Sequence, residues 1–152
     1  MISVQTQDFS VAQLYEQLRD SSVGSIGAVV FFVGLVRDFS QQEKLASLQV
    51  ECYPGMAERE LHKLVEQAKQ RAALHEVYLI HRVGLLQPTE QIVFVGVSAS
   101  HRADAFSACE YLIDQLKNTA PLWKKEIRVD GKQYWITHNT PAREKNRELV
   151  AC

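Results

Sequence analysis

Basic side chains occur at both ends of one predicted helix, and at its start they indicate an anion-binding site. An apolar strand over residues 92–98 leads into His101 and Arg102, and an amphipathic helix follows over residues 103–117. Unpaired N–H groups and the positive end of the helix dipole favour an anion at such a helix start. A salt bridge between Arg102 and Asp104, or another neighbouring carboxylate, would explain the arginine equally well.

Two lysines lie at the other end of this helix. Lys117 is in the last predicted turn, where the negative end of the dipole by itself favours a cation. Lys124 comes later, and Pro121 prevents one continuous helix from carrying both lysines. Their ammonium groups therefore meet only if the chain turns at residues 119–121 and Lys124 faces inward from the next strand.

Two further side chains are candidates for contact with a ligand. Arg37 follows Gly34 at the end of an apolar strand, where loops display functional groups, although an exposed arginine in a salt bridge is the more common outcome. Trp123 could stack on a planar ligand. Large aromatic side chains at strand positions are more often packed inside, so we predict that Trp123 is a core residue.

Other kinds of site are disfavoured by the sequence. Gly24 and Gly27 precede a strand instead of opening a helix, so the pattern of a nucleotide-binding loop is missing. The five histidines have no second His or Cys at a ligand-like spacing, and we expect neither a metal site nor a cofactor. Cys52 and Cys109 fall on apolar faces, where burial keeps a thiol protonated and inert.

Length and composition predict a single domain spanning residues 1–152. The 152 residues, 46% of them hydrophobic, suffice for one core. The net charge of -1 argues against a nucleic-acid partner. We expect no membrane segment, because no apolar run approaches the ~20 residues that span a bilayer. The chain lacks the start of a signal peptide and its three cysteines are far apart, which predicts a cytoplasmic protein.

The hydrophobic pattern predicts an α+β fold, a sheet with helices on one side. Helices are predicted after Ser10, which caps the first of them, and over residues 56–73 and 103–117. Strands are predicted over residues 28–33, 47–53, 77–80, 92–98, 122–129 and 132–136. The continuous apolar run 28–33 indicates a buried strand, and Asp130-Gly131 a two-residue turn in a C-terminal hairpin. Residues 141–148 are expected to be a short surface helix or a loose tail.

Several separated motifs, in the right order, resemble one known family, the catalytic subunit of molybdopterin synthase. The motifs are Gly34-Leu35-Val36-Arg37, Tyr53-Pro54-Gly55-Met56, His81-Arg82-Val83-Gly84, Val95-Gly96-Val97-Ser98 with His101-Arg102, and Lys117 followed by Ala120-Pro121-Leu122-Trp123-Lys124-Lys125-Glu126. Three departures from the family pattern are Thr89 in place of a glycine, the loop over residues 38–44, and the tail after Trp135.

The resemblance implies an α/β hammerhead fold with a mixed or antiparallel sheet. It also implies a homodimer within a heterotetramer, in which each copy binds a small ubiquitin-like sulfur carrier. The C-terminal Gly-Gly thiocarboxylate of the carrier supplies sulfur to cyclic pyranopterin monophosphate, and two rounds build the dithiolene of molybdopterin. The implied activity is that of a sulfurtransferase in molybdenum cofactor biosynthesis, which needs neither metal nor nucleotide at this step.

By motif, Lys117 and Lys124 correspond to the two active-site lysines of the family, and Arg37, His101 and Arg102 to its anion-binding residues. Phosphate, thiocarboxylate and the leaving carboxylate are all anionic, so the reaction requires a cationic pocket. Each lysine could act as a charge, a proton donor or a nucleophile. A non-catalytic module that binds a ubiquitin-like tail or a phosphorylated metabolite is the alternative, and the presence of both lysines favours the enzyme.

Overall fold

The structure is a computed structural model that describes residues 1–21, 25–40, 43–53 and 55–136. These residues form three helices and nine strands. None of these three helices is long and apolar enough to cross a membrane. The helices are α1 (Val11–Arg19), α2 (Met56–Arg71) and α3 (Arg102–Thr119). The strands are β1 (Ile2–Gln5), β2 (Ala28–Leu35), β3 (Phe39–Ser40), β4 (Glu43–Cys52), β5 (Leu74–Arg82), β6 (Gly84–Leu86), β7 (Gln91–Ala99), β8 (Leu122–Arg128) and β9 (Gln133–Trp135). The segment 141–148 lies outside the described residues.

The first sheet has the strand order β1-β5-β7-β2 and helices on both faces. It is mixed, since β1 runs parallel to β5 while β5, β7 and β2 are antiparallel. Helices α2 and α3 pack on one face, which includes Leu79 and Val95. On the other face, Leu18 of α1 packs on Ile80 and Phe94. The prediction of helices on one side is therefore wrong, because side chains that alternate along β5 and β7 give both faces an apolar surface.

The prediction that residues 28–33 form a buried strand is also wrong, because part of β2 is exposed. Within the described residues β2 is the edge of the sheet and pairs with β7 alone. Phe31 remains 42% exposed and Phe32 39% exposed. An apolar run predicts two covered faces, but an edge strand lies partly beyond the helices that cover the sheet.

The second sheet has the order β3-β4-β8-β9, with β6 also paired to β4. The predicted C-terminal hairpin is present as β8 and β9, but its turn differs from the two-residue turn that we predicted. The Arg128 N–H donates to the Lys132 carbonyl oxygen at 2.9 Å, which leaves three residues in the loop. Gly131, at φ +85°, is the residue of this loop with a left-handed backbone. The turn is therefore the three-residue type in which glycine takes the last position.

Thr89 also has a left-handed backbone, with φ +74°, and it stands where the related family often has glycine. A β-branched residue is strained in this region, and Thr89 is exposed, so its side chain contributes little packing. Thr89→Gly removes the backbone strain but also increases the conformational entropy of the unfolded chain, which opposes folding. We expect the net result to be a free energy of unfolding that is higher by about 1 kcal/mol. Urea unfolding would measure the change. Thr89→Ala is the control that keeps the strain, and an equal gain from both variants would contradict this explanation.

Candidate active site

A pocket forms where the end of α3, the start of β8 and the end of β5 meet. Its empty space measures about 440 Å³ and is open to solvent. The pocket is lined by Phe32, His81, Val93, Ile113, Leu116, Lys117, Ala120, Leu122 and Lys124. Three basic groups thus stand among apolar walls, in a region that residues of both sheets build together.

The chain geometry that brings Lys117 and Lys124 together is the one that the sequence required. Helix α3 ends at Thr119, and the Ala120 N–H still donates to the Leu116 carbonyl oxygen at 3.4 Å. The Leu122 N–H then donates to the Ala120 carbonyl oxygen at 2.8 Å, across Pro121, which turns the chain into β8. Lys124 points to the same side of β8 as Leu122, into the pocket.

The two lysines differ in their surroundings. Lys117 is exposed in the last turn of α3, whereas Lys124 is half-buried. Burial, and then the nearby charge of Lys117, lower the pKa of Lys124. Lys124 therefore gives up its proton more easily than a solvated lysine, so it is suited to proton transfer or nucleophilic attack as well as to electrostatic stabilisation.

His81 is a member of the pocket that sequence reasoning missed. It is 1% exposed, and its Nδ1–H donates to the Arg82 carbonyl oxygen at 2.8 Å. Burial, and next the charge of Lys124, lower the pKa of His81 to about 4, so the ring is neutral near pH 7. Its place in the shared motif at the end of a strand was the available signal. The spacing of the histidines along the chain, which bears only on metal binding, does not distinguish His81 from the other four.

Because the buried ring of His81 resists protonation, the fold is expected to lose stability in mild acid. The unfolded chain binds a proton at its usual pKa of 6.5, and the folded chain only near pH 4. Between these values the unfolded state holds more protons, so the free energy of unfolding falls as the pH falls, by on the order of 3 kcal/mol in total. Urea unfolding at pH 7 and pH 4.5 would measure this loss. If His81→Asn showed the same loss as the parent, another group would be responsible.

Arg37 lies at the same end of the first sheet as the pocket. It follows β2 by two residues, and Gly34 of β2 pairs with Val93, which lines the pocket. The intervening Val36 is buried, and its N–H donates to the Glu90 carbonyl oxygen at 2.9 Å. Arg37 itself is exposed beside this anchored segment, and it is not one of the residues that line the pocket.

His101 and Arg102 lie at the opposite end of α3 and do not join the two lysines within one chain. Lys117 is 15 residues further along the helix than Arg102, which corresponds to roughly 22 Å along the axis. Both residues at the helix start are exposed. Within the described residues Arg102 forms no ion pair with Asp104, so that alternative is not supported.

Trp123 is on the surface, so its prediction as a core residue is wrong. It is 45% exposed, and its ring makes an edge contact with Tyr53 at a centroid distance of 6.0 Å. Alternate residues of β8 face opposite sides of the sheet, and because Lys124 faces the pocket, Trp123 faces outward. Burial raises the pKa of Cys109 to about 11, as expected for the predicted inert thiol, and burial, followed by the charge of Glu58, raises the pKa of the partly buried Cys52. In the described part of the chain no three His, Cys, Asp or Glu side chains are grouped as metal ligands would be.

Comparison with known proteins decides the family. The family model described as MoaE protein matches residues 4–119. The chain belongs to the MoaE family. A relative in Haemophilus influenzae, described as molybdopterin synthase catalytic subunit, is 46% identical over 149 residues, which cover 98% of this chain and 95% of the relative. Members of the MoaE family that share this description are sulfurtransferases of molybdopterin biosynthesis, and the chain is one of them.

Solved structures agree with this assignment. Molybdopterin synthase from Staphylococcus aureus has a TM-score of 0.80 at 32% identity, covering 89% of this chain and 96% of the other. This likeness confirms the predicted α+β fold with mixed sheets. A structure from Helicobacter pylori, described as a complex of subunits 1 and 2 of molybdopterin-converting factor, has a TM-score of 0.74 at 18% identity, covers 99% of both chains, and supports the fold alone.

Proposed function

We propose that the pocket receives the C-terminal Gly-Gly thiocarboxylate of a small ubiquitin-like carrier and directs its sulfur to cyclic pyranopterin monophosphate. The observation that carries this proposal is the convergence of Lys117 and Lys124 in one apolar-walled pocket. Charge interactions are stronger beside apolar walls than in bulk water, so two ammonium groups there attract anions effectively. Glycines without side chains suit a tail that must enter a confined space.

We further propose that Lys117 and Lys124 are the catalytic residues. Lys117, exposed at the mouth, would hold the thiocarboxylate and the carboxylate that leaves. Lys124, deeper and with its lowered pKa, would exchange a proton with the reacting groups or attack the acyl carbon. No cofactor enters either role.

Arg37, His101 and Arg102 are proposed to bind the substrate phosphate. Arg37 can do so from the same chain as the lysines, but His101 and Arg102 are roughly 22 Å away along α3. They would complete the pocket only from a second copy of the chain, which a symmetric homodimer provides. With one carrier for each copy of the chain, the assembly becomes a heterotetramer.

Alanine in place of Arg37, His101 or Arg102 is expected to weaken substrate binding about tenfold or more and carrier binding much less. Guanidinium groups and helix starts suit phosphate, and losing one charged hydrogen bond costs about 1.5–3 kcal/mol. Titration of each variant with substrate and carrier separately would measure both affinities. Equal weakening for both ligands, or weakening for the carrier alone, would contradict this role.

A mixed dimer tests whether His101 and Arg102 act from the second copy. Chains with Lys117→Ala and chains with Arg102→Ala, each impaired as homodimers, would be combined after reversible unfolding. If the pocket is shared, one of the two pockets in a mixed dimer contains both intact residues, and activity returns. If the pocket belongs to one chain, every pocket keeps a defect and no activity returns.

Reconstitution tests the function as a whole. The purified chain, thiocarboxylated carrier and cyclic pyranopterin monophosphate should yield the dithiolene product, detected by mass spectrometry. Mass measurement in solution should show a dimer alone and a two-plus-two assembly with carrier. Binding of both ligands without product would instead favour the non-catalytic module. The thiols of Cys52 and Cys109 are unbridged, which is consistent with our proposal that the protein works in the reducing cytoplasm.

A further inference from the structure

The wall of the pocket includes the imidazole ring of His81, to which the proposed function assigns no role. His81 pairs in the sheet with Val93 on one side and Val4 on the other, so its ring is held by apolar neighbours. A carbonyl oxygen only accepts hydrogen bonds, and therefore the contact with Arg82 requires the proton on Nδ1. With the proton on Nδ1, Nε2 of the neutral ring carries a lone pair that can accept a proton.

Sulfur transfer from a thiocarboxylate creates a need for a base. Once the sulfur has bonded to a pterin carbon, it still carries the acyl group of the carrier, as a thioester. Water must then attack the acyl carbon while a base takes one of its protons, and the carbon–sulfur bond breaks with its electron pair leaving on sulfur as the pterin thiolate. The new carboxylic acid of the carrier releases the second proton to solvent and becomes a carboxylate. The attacking water loses a proton in this step, and a base beside the acyl carbon has to accept it.

We propose that His81 is the general base of this hydrolysis, with Nε2 accepting the proton as the water oxygen bonds to the acyl carbon. The proposal rests on the proposed function, since it concerns the second half of the same transfer. A buried, oriented imidazole on the wall of the pocket that would hold the thioester is placed for this role. The hydrogen bond to Arg82 fixes the ring, as the partner of a catalytic histidine does in hydrolases.

The charges around the ring differ between the free and the filled pocket, and this affects how readily His81 accepts a proton. Lys124 on β8 and Lys117 on α3 are the charged groups that line the pocket with His81, and the other lining residues are apolar. The low pKa of His81 keeps the free enzyme in the proton-accepting form. Phosphate and carboxylate in the filled pocket act in the opposite direction, because negative charge stabilises the imidazolium that proton transfer produces.

The test separates sulfur addition from thioester hydrolysis. In His81→Asn the amide nitrogen can replace Nδ1 as donor to Arg82, while the acceptor at Nε2 is lost. Reactions of one turnover would be quenched at intervals and the carrier analysed by mass. We expect the carrier–pterin thioester to form at the parent rate and to decay about 10²–10⁴-fold more slowly, so that it accumulates. The exposed His62 on α2 supplies the control His62→Asn, which should behave as the parent does.

A second variant and a measurement on the parent test the proposal even if His81→Asn fails to fold. His81→Gln preserves more volume and should also accumulate the thioester. In the parent, ¹⁵N spectra of the imidazole should show Nδ1 protonated and Nε2 bare at pH 7. Hydrolysis at the parent rate in a folded variant, equal slowing of both steps, or a protonated Nε2 would overturn the proposal. If the parent itself forms neither thioester nor dithiolene, the proposed function fails instead.

Discussion

Lys117→Ala is expected to lower turnover about 10²–10³-fold, the usual loss when one preorganised charge donor is removed. The fold and carrier binding should remain largely intact, because Lys117 is exposed in the last turn of α3 and its truncation leaves no cavity in the core. Turnover of the reconstituted enzyme and its urea unfolding curve would measure both effects.

Lys69→Ala is the matched control for this variant. Lys69 is also a lysine in the last turn of a helix, but it lies on α2, where it pairs with Glu66 at 3.6 Å. Its loss should leave turnover within about twofold, since surface ion pairs contribute little. The pKa of Lys124 gives a second measurement, because removing the charge of Lys117 should raise it. Near-parent turnover in Lys117→Ala would show that the lysine is not catalytic.

Substitution of Lys124 is expected to lower turnover at least as much as Lys117→Ala does. Lys124→Ala should also lose about 10²–10³-fold in turnover. Lys124→Arg should remain far below the parent, because a guanidinium is larger, planar and does not release its proton. Burial and the charge of Lys117 lower the pKa of Lys124, which makes release of a proton easier there than at a solvated lysine. Steady-state rates of both variants across pH 6–10 would test this.

The neighbouring lysine supplies the control for the arginine substitution. Lys125 points to the outer side of β8, with its Nζ 5.0 Å from the centre of the Trp135 ring. Arginine also stacks on aromatic rings, so Lys125→Arg should keep parent activity. Full activity in Lys124→Arg would reduce Lys124 to a general positive charge, and the proton-transfer role would have to be abandoned.

Local patterns predicted α3 and the hairpin well, because the periodicity of a helix and the preferences of a turn act between neighbours in the chain. Exposure along β2 and the outward orientation of Trp123 were not predictable in this way. Both depend on which strands lie beside a given strand and which helix covers it. Gly131 illustrates the same limit at a smaller scale: the residue pair signalled a turn, but the hydrogen bond at Arg128 decided its length.

The residues of the candidate site were likewise predictable only in part. Family motifs pointed to Lys117 and Lys124, and the turn at Pro121 shows how they meet. His81 was overlooked because its relation to Lys124 arises from packing between two sheets, and nothing in its immediate neighbours in the chain reveals it. His101 and Arg102 were grouped with the lysines, yet the length of α3 separates the two pairs in a single chain.

The pocket takes its walls from separate parts of the fold, and this affects how the chain matures. Phe32, His81 and Val93 belong to the first sheet, whereas Leu122 and Lys124 belong to the second. A newly made chain in which only one sheet has formed therefore has half a pocket and no enclosed place for a reactive tail. If the pocket receives a thiocarboxylate tail as we propose, it can do so only after both sheets have formed and packed together.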